Sequence, residues 1–196
     1  MKEIILASAS PRRSWLLKQA GIVFKTVPSD VEEVIGEAAA PEELVLRLSR
    51  MKAESVAGKL GGTHSATESL VIGADTVVIK DGILGKPADK ADAFNMLKAL
   101  QGGWHEVITG ITVVSVPGFK SLEGYERTRV KIKGMSDEAI FNYINTGEPM
   151  DKAGAYGIQG IGALIVERIE GCYFNVVGLP LMRLGVMLEE FGIKLF

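Results

Sequence analysis

Residues 4–13 read IILASASPRR, an apolar run that gives way to serines, a proline and two arginines. The apolar part is typical of a short buried strand. A helix is predicted directly after it, because Ser10 suits the N-cap, Pro11 suits the first helical position and apolar residues recur until Gly21. This strand–turn–helix unit indicates an α/β protein.

Strand and helix patterns alternate along the rest of the chain. Strands are predicted at 22–27 and 163–166, and a helix is predicted over 41–58. The stretch 105–132 differs, because it reads as consecutive antiparallel strands. The sequence therefore predicts an α/β fold with a mixed sheet, formed by a single domain over 1–196.

Composition excludes several kinds of protein. The chain has 22 basic and 24 acidic residues, so its surface has no general attraction for nucleic acid or anionic lipid. The apolar runs are too short for a membrane span, and no signal peptide is recognisable. The single cysteine, Cys172, fits a reducing compartment. We expect a cytoplasmic protein without nucleic-acid or membrane partners.

The first turn of the predicted helix carries Arg12 and Arg13 at its electrically positive end. Unsatisfied backbone N–H groups point out of the same end, and arginine binds phosphate through paired hydrogen bonds. The hydroxyl groups of Ser8 and Ser10 add further donors. This segment is a candidate phosphate site. Alternatively, the serine and proline only cap the helix, and both arginines are solvated.

Asp75 follows the apolar strand pattern at 70–74, with Thr76 next to it. Ligands of open α/β sheets collect at the carboxyl ends of strands. A carboxylate there can hold a hard divalent cation or accept a proton from water. Alternatively, Asp75 only completes a turn. Glu33, in an acidic loop, offers a second carboxylate, although such loop acids are often merely solvated.

Three further side chains are candidates for ligand contacts. Lys52 lies near the border of the apolar stripe of its helix, and Lys86 precedes a proline turn, so either could reach a phosphate or simply be solvated. Gln159 lies in the glycine-flanked segment YGIQG at 156–160. Its amide offers an acceptor and two donors that complement the imide edge of uracil or thymine. Loops of this composition are also common without a function.

Seven segments together resemble the Maf family of nucleoside triphosphate pyrophosphatases almost from end to end. They are LASASPRR at 6–13, GADTV at 73–77, GKP at 85–87, TG at 109–110, GEP at 147–149, DKAGAYGIQG at 151–160 and VGLP at 177–180. The glutamine of the sixth segment is the form found in the dTTP/UTP branch of the family.

This resemblance implies an activity and a fold. Members cut nucleoside triphosphates between the α and β phosphates, with a divalent cation such as Mg²⁺ or Mn²⁺, and release the monophosphate and pyrophosphate. The expected substrates are dTTP and UTP, with modified pyrimidine triphosphates as further candidates. The implied fold is an elongated mixed sheet with flanking helices, in two lobes around a central cleft, similar to the inosine triphosphate pyrophosphatases. A homodimer is also expected by resemblance.

The resemblance also implies roles for individual residues. Asp75 corresponds to the proton acceptor. The positions tied to base preference are Arg12, Thr76 and Gln159. In the mechanism that we expect, the phosphates are held by Ser8, Ser10, Arg13, Lys52 and Lys86. The cation is bound by Glu33 and phosphate oxygens, and Asp75 is a further candidate ligand.

Two other functions compete with hydrolysis. Members of this family were first associated with septum formation, so the chain could sense triphosphates and regulate cell division without turning them over. A nucleic-acid binder is disfavoured, because the net charge is −2 and no extended basic cluster continues beyond the first helix.

Overall fold

The structure is a computed structural model that describes residues 2–31, 40–61 and 68–195. Its strands are β1 (Glu3–Leu6), β2 (Lys25–Thr26), β3 (Ser69–Ile79), β4 (Ile83–Leu84), β5 (Trp104–Val116), β6 (Ser121–Ile132) and β7 (Val166–Glu170). Its helices are α1 (Pro11–Gln19), α2 (Pro41–Gly61), α3 (Lys90–Leu100), α4 (Asp137–Asn145), α5 (Tyr173–Val177) and α6 (Leu181–Glu190). Turns of 3₁₀ helix cover Glu148–Asp151, Ala153–Ala155 and Gly160–Leu164.

The described strands form one seven-stranded sheet in the order β2-β1-β3-β5-β6-β7, with β4 paired to β3. Strand β1 is parallel to both β2 and β3, whereas β4 and β7 pair antiparallel with β3 and β6. The predicted α/β fold with a mixed sheet and flanking helices is therefore confirmed. None of the helices in the described ranges is long and apolar enough to cross a membrane.

The chain divides into two compact units, which agrees with the expectation of two lobes. The first unit contains the described parts of Met1–Asp75, Thr109–Glu126 and Gly178–Phe196. The second contains Thr76–Ile108 and Arg127–Val177. Each unit has its own apolar cluster of buried residues. In the first unit it includes Ile5, Ala53, Val56, Val71 and Val114. In the second it includes Val78, Leu97, Val107, Ile132, Ile140 and Tyr156.

Helix α2 packs unusually close to the sheet of the first unit. Pro41 begins the helix, as its fixed φ angle favours. The closest approach is at Gly73 on β3, where an added Cβ atom would lie 2.1 Å from the carbonyl oxygen of Ser49. Gly110 on β5 is similar, with Val45 O at 2.4 Å from the added atom. Glycine is therefore required on both strands, because any side chain would push the helix backbone away.

A polar contact joins the helix to the sheet at the same place. Ser49 Oγ lies 2.9 Å from Thr112 Oγ1, and Ser49 is fully buried. Paired hydroxyl groups satisfy each other inside the core and so avoid the cost of burying an unpaired polar group. This hydrogen bond fixes the position of α2 along the strand direction, in addition to its distance from the sheet.

Several predicted boundaries are wrong. Strand β3 does not end before Asp75 but continues through it to Ile79, and α2 does not stop at Gly58. The strand predicted at 22–27 is reduced to β2. In the apolar segment 163–166, Ala163 and Leu164 lie in a 3₁₀ turn, and β7 begins only at Val166. In each case tertiary contacts override the local preference.

The substitution Gly73→Ala tests the close approach of α2. We expect it to lower the free energy of unfolding by about 3 kcal/mol or more, the upper end for overpacked cores, because the new methyl group meets helix backbone. Urea denaturation followed by circular dichroism measures this change.

Gly58→Ala is the matched control, since it lies in the same helix with nothing within 4 Å of an added Cβ atom. It should stabilise the protein by about 0.5–1 kcal/mol. If Gly73→Ala were as stable as the wild-type protein, α2 would be free to shift, and its close contact with β3 would not constrain the fold.

Candidate active site

The parallel strands β1 and β3 place the candidate residues of the first unit at one end of the sheet. Their register pairs Leu6 with Ile72, and Ala7 N donates to Ile72 O at 2.8 Å. Beyond this point β1 gives way to the turn that carries Ser8, while β3 continues to Asp75. The turn and the carboxylate therefore both lie past the carboxyl end of β1, where ligands of such sheets bind.

The turn between β1 and α1 is held together by Arg13. This side chain is buried, and its Nε donates to the carbonyl oxygen of Gly178 at 2.9 Å. Its Nη1 donates to Ser8 Oγ at 3.1 Å, and Ser8 Oγ also accepts from Ser10 N at 3.2 Å. These two guanidinium hydrogen bonds order the turn and tie it to Gly178.

The N-terminus of α1 has neither a side-chain cap nor an acidic residue. Ser10 occupies the N-cap position, as predicted, but its hydroxyl makes no capping hydrogen bond. No acidic residue lies in the first turn, so nothing on the helix itself neutralises the positive end of the dipole. Arg12 lies in this turn and is half-buried.

Lys52 and Asp75 form a buried ion pair. Lys52 Nζ donates to Asp75 Oδ1 at 2.6 Å, and each residue exposes only 6% of its surface. The buried face of α2 carries Lys52 in place of an apolar residue, so its charge needs a partner inside the protein. The approach of α2 at Gly73 brings that partner within reach, because Lys52 follows Ser49 by one helical turn.

The structure separates the predicted residues into two groups. Six of them lie in the first unit, and three lie in the second. The first group is Ser8, Ser10, Arg12, Arg13, Lys52 and Asp75. The second group is Thr76, Lys86 and Gln159. Glu33 lies outside the described residues. Contacts inside the first unit directly join Ser8 to Arg13 and Lys52 to Asp75.

In the second unit, Gln159 lies on a tightly closed loop formed by Gly157–Gly162. An added Cβ atom on Gly162 would lie 2.1 Å from the carbonyl oxygen of Gly157, so the two ends of the loop touch. Gly160 has a φ angle of +67°, which favours glycine. Gln159 is half-buried, and its side chain makes no capping hydrogen bond.

Glu148 binds the backbone of this loop. Its Oε2 accepts from Ile161 N at 2.8 Å, and its Oε1 accepts from Gly162 N at 2.8 Å. The Tyr143 hydroxyl also donates to Oε1, at 2.9 Å, and accepts from Gly157 N at 3.2 Å. Both carboxylate oxygens of Glu148 therefore accept hydrogen bonds, Oε2 from one backbone N–H and Oε1 from another and from the Tyr143 hydroxyl.

The charge of Glu148 follows from these contacts. Partial burial raises the pKa of the carboxyl group, but the two backbone N–H donors and the Tyr143 hydroxyl outweigh it, so the pKa lies below its ordinary value. Burial also raises the pKa of Tyr143, which keeps its hydroxyl protonated and able to donate. The loop is thus held by an ionised carboxylate.

His105 and Tyr156 form a buried pair at the start of the same segment. His105 Nε2 lies 2.7 Å from the Tyr156 hydroxyl, and His105 is only 4% exposed. Burial, with a smaller contribution from the charge of Lys80, lowers the pKa of His105 to about 4. The strand pattern predicts a structural role for this histidine, and its burial as a neutral side chain agrees with that role.

Two of these contributors, Tyr143 and Glu148, are not predicted from the sequence. The glycine-rich loop does indicate that a side-chain acceptor lies nearby, because several of its backbone N–H groups need hydrogen-bond acceptors. A carboxylate in the nearby GEP segment at 147–149 is a natural acceptor. Nothing in the sequence, however, shows that this segment folds back on the loop.

Comparison with known proteins identifies the family. A family model described as Maf-like protein matches residues 3–191. The chain belongs to the Maf family. It is 54% identical over 195 residues to the dTTP/UTP pyrophosphatase of Acetivibrio thermocellus, covering 99% of this chain and 98% of the relative. It is also 52% identical to the dTTP/UTP pyrophosphatase of Caldicellulosiruptor bescii, covering 100% of this chain and 98% of that relative.

The Maf chain also has a distant structural match. This is a nucleoside-triphosphatase, or dITP/XTP pyrophosphatase, from Mycobacterium abscessus, with a TM-score of 0.40 and 16% identity. The match covers 96% of this chain and 97% of the other. Family membership rests on the sequence relatives and not on this similarity.

The buried neutral His105 predicts a pH dependence of stability. Because its pKa in the folded protein is about 4, below the ordinary value of 6.5, protonation favours the unfolded chain. The stabilisation is complete above pH 6.5 and is lost as the pH falls toward 4. Between pH 8 and pH 5 the wild-type protein should lose about 2 kcal/mol through this group.

His105→Gln keeps a hydrogen-bonding partner for Tyr156 and removes the titration. Urea denaturation of both proteins between pH 8 and pH 5 separates this effect from that of the carboxylates. Between pH 8 and pH 5 the free energy of unfolding of the variant should fall by about 2 kcal/mol less than that of the wild type. Parallel curves would show that His105 does not titrate differently on folding.

Proposed function

We propose that this chain hydrolyses dTTP and UTP to the nucleoside monophosphate and pyrophosphate. The relatives at 54% and 52% identity carry the name dTTP/UTP pyrophosphatase, and they match this chain over nearly its full length. The observation that carries the proposal is the buried Lys52–Asp75 pair beyond the carboxyl end of β1. The basic first turn of α1 follows the same end of β1.

In this proposal Asp75 accepts the proton of the attacking water. Lys52 holds Oδ1 and so orients the carboxylate, which directs Oδ2 to the water. The water oxygen bonds to the α phosphorus, and the bond from that phosphorus to the bridging oxygen breaks. Pyrophosphate then leaves with the electron pair. Burial of Asp75 strengthens these electrostatic effects, because the local dielectric is low.

The first turn of α1 binds the phosphates. Arg13 and Ser8 order the turn, and the bare positive end of the helix attracts the negative charge. We assign Ser10 and Lys86 to the same phosphates and retain a phosphate contact for Lys52 besides its bond to Asp75. Arg12, Thr76 and Gln159 are assigned to base preference, as the family resemblance implies.

A divalent cation, Mg²⁺ or Mn²⁺, is part of the proposal. The described residues contain no cluster of three or more histidine, cysteine or acidic side chains, so they offer no cage made entirely of protein. They fit a cation that takes most of its ligands from phosphates and water, with a carboxylate oxygen of Asp75. Glu33 is the second ligand we assign. When bound, the cation neutralises charge on the phosphates.

Pyrophosphate release tests the function. The purified protein is incubated with Mn²⁺ and a panel of dTTP, UTP, dCTP, dATP and dGTP. We expect release that is fastest with dTTP and UTP, and a loss of about 10²–10⁴-fold in kcat for Asp75→Asn. Asparagine keeps an oxygen acceptor for Lys52 but removes the negative charge, so kcat is compared at equal amounts of folded protein, as measured by circular dichroism.

Asp81→Asn is the control for the loss of one carboxylate. Asp81 is exposed in the turn after β3 with a φ angle of +54°, which asparagine also tolerates. This variant should keep wild-type kcat. A rate for Asp75→Asn above one tenth of wild type would rule out its role as proton acceptor. No release from any triphosphate, with binding retained, would favour the nucleotide sensor.

A further inference from the structure

The loop Gly157–Gly162 lies outside the sheet, and only its second half, from Gly160, joins a turn of 3₁₀ helix. It is closed by the contact of Gly162 with the Gly157 carbonyl. The N–H groups of Gly157, Ile161 and Gly162 are bound by side chains. The conformation of Gln159 at the centre of the loop therefore depends on the side chains of Glu148 and Tyr143 that hold its two ends.

Glu148 cannot be replaced by its neutral isostere without loss. Both oxygens of the carboxylate accept from fixed donors, namely two backbone N–H groups and one hydroxyl. An amide at this position would offer one oxygen and one NH₂ group, and the NH₂ group would face a backbone N–H. One backbone N–H group would lose its acceptor in the protein, and the loop would be held less firmly.

The residues around Glu148 support a dedicated arrangement. An added Cβ atom on Gly160 would lie 2.5 Å from Glu148 Oε2, so the glycine makes room for the carboxylate. Lys152 donates to the main-chain carbonyl of Glu148 and to Asp151 Oδ1 at 2.8 Å. The backbone that carries the carboxylate is thus fixed from the other side.

We infer that Glu148 is a positioning residue for base preference, because its carboxylate fixes the loop that presents Gln159. The inference rests on the proposed function and extends it to a residue that does not itself contact the base. Tyr143 is the second member of the arrangement, since its hydroxyl joins Glu148 Oε1 to Gly157 N.

The ratio of kcat/KM for dTTP to that for dGTP is the decisive quantity. A change that only lowers the amount of folded protein reduces both values equally and leaves their ratio unchanged. We expect Glu148→Gln and Gln159→Ala each to lower the ratio by about tenfold or more, as when a hydrogen-bonding pocket loses its alignment. The double variant should show no further decrease, because both changes act through one loop.

Tyr143→Phe provides a second variant if Glu148→Gln fails to fold. It keeps the carboxylate and should lower the same ratio by a smaller factor. Glu138→Gln is the control, because Glu138 is an exposed glutamate on α4, the helix that also carries Tyr143. The control should keep the wild-type ratio.

The outcomes separate this inference from the proposed function. Absence of pyrophosphate release by the wild-type protein would remove the function itself. With a wild type that prefers dTTP, a Glu148→Gln variant whose ratio stays within twofold of wild type would overturn the inference alone. A lowered ratio for Glu148→Gln with an unchanged ratio for Gln159→Ala would support the positioning of the loop but assign the base contact to another of its atoms.

Discussion

The contact between helix α2 and strand β3 is the constraint on which the candidate centre depends. Glycine at position 73 lets the helix backbone approach, and Ser49 is bound to Thr112 beside it. This approach places Lys52 next to Asp75 inside the protein. Burying two charges costs several kcal/mol each, and their mutual attraction roughly offsets that cost. The pair is therefore weak evidence for stability and better explained by a chemical role.

In the second unit, too, a charged side chain is held by fixed partners, here the backbone N–H groups of a loop. Two backbone N–H groups at the start of the 3₁₀ turn in the glycine-rich loop point to the side chain of Glu148, and its ionised carboxylate accepts both. In both units a charged side chain is fixed by more than one partner or by burial. Such fixed groups are what electrostatic catalysis and base selection require, because they do not have to reorganise when the ligand binds.

Much of the fold follows from local sequence patterns, and much of the site does not. The strand–turn–helix at 4–13 and the start of helix α2 at Pro41 follow from apolar periodicity and from the residues that favour helix starts. The continuity of β3 through Asp75 does not, because glycine, alanine and aspartate favour strands weakly and only neighbouring elements hold them there. The hydrogen-bond partners of Lys52 and Glu148 could not be predicted either, because contacts between segments distant in the sequence determine them.

Coupling between Lys52 and Asp75 is the central claim, and a double-mutant cycle on kcat for dTTP measures it directly. The cycle compares Lys52→Met, Asp75→Asn and the double variant with the wild-type protein, each at saturating substrate and Mn²⁺. If the two residues act as one unit, the double variant should be no more than about threefold slower than the worse single variant. Losses that multiply would contradict the account, because they would show that Lys52 and Asp75 act independently.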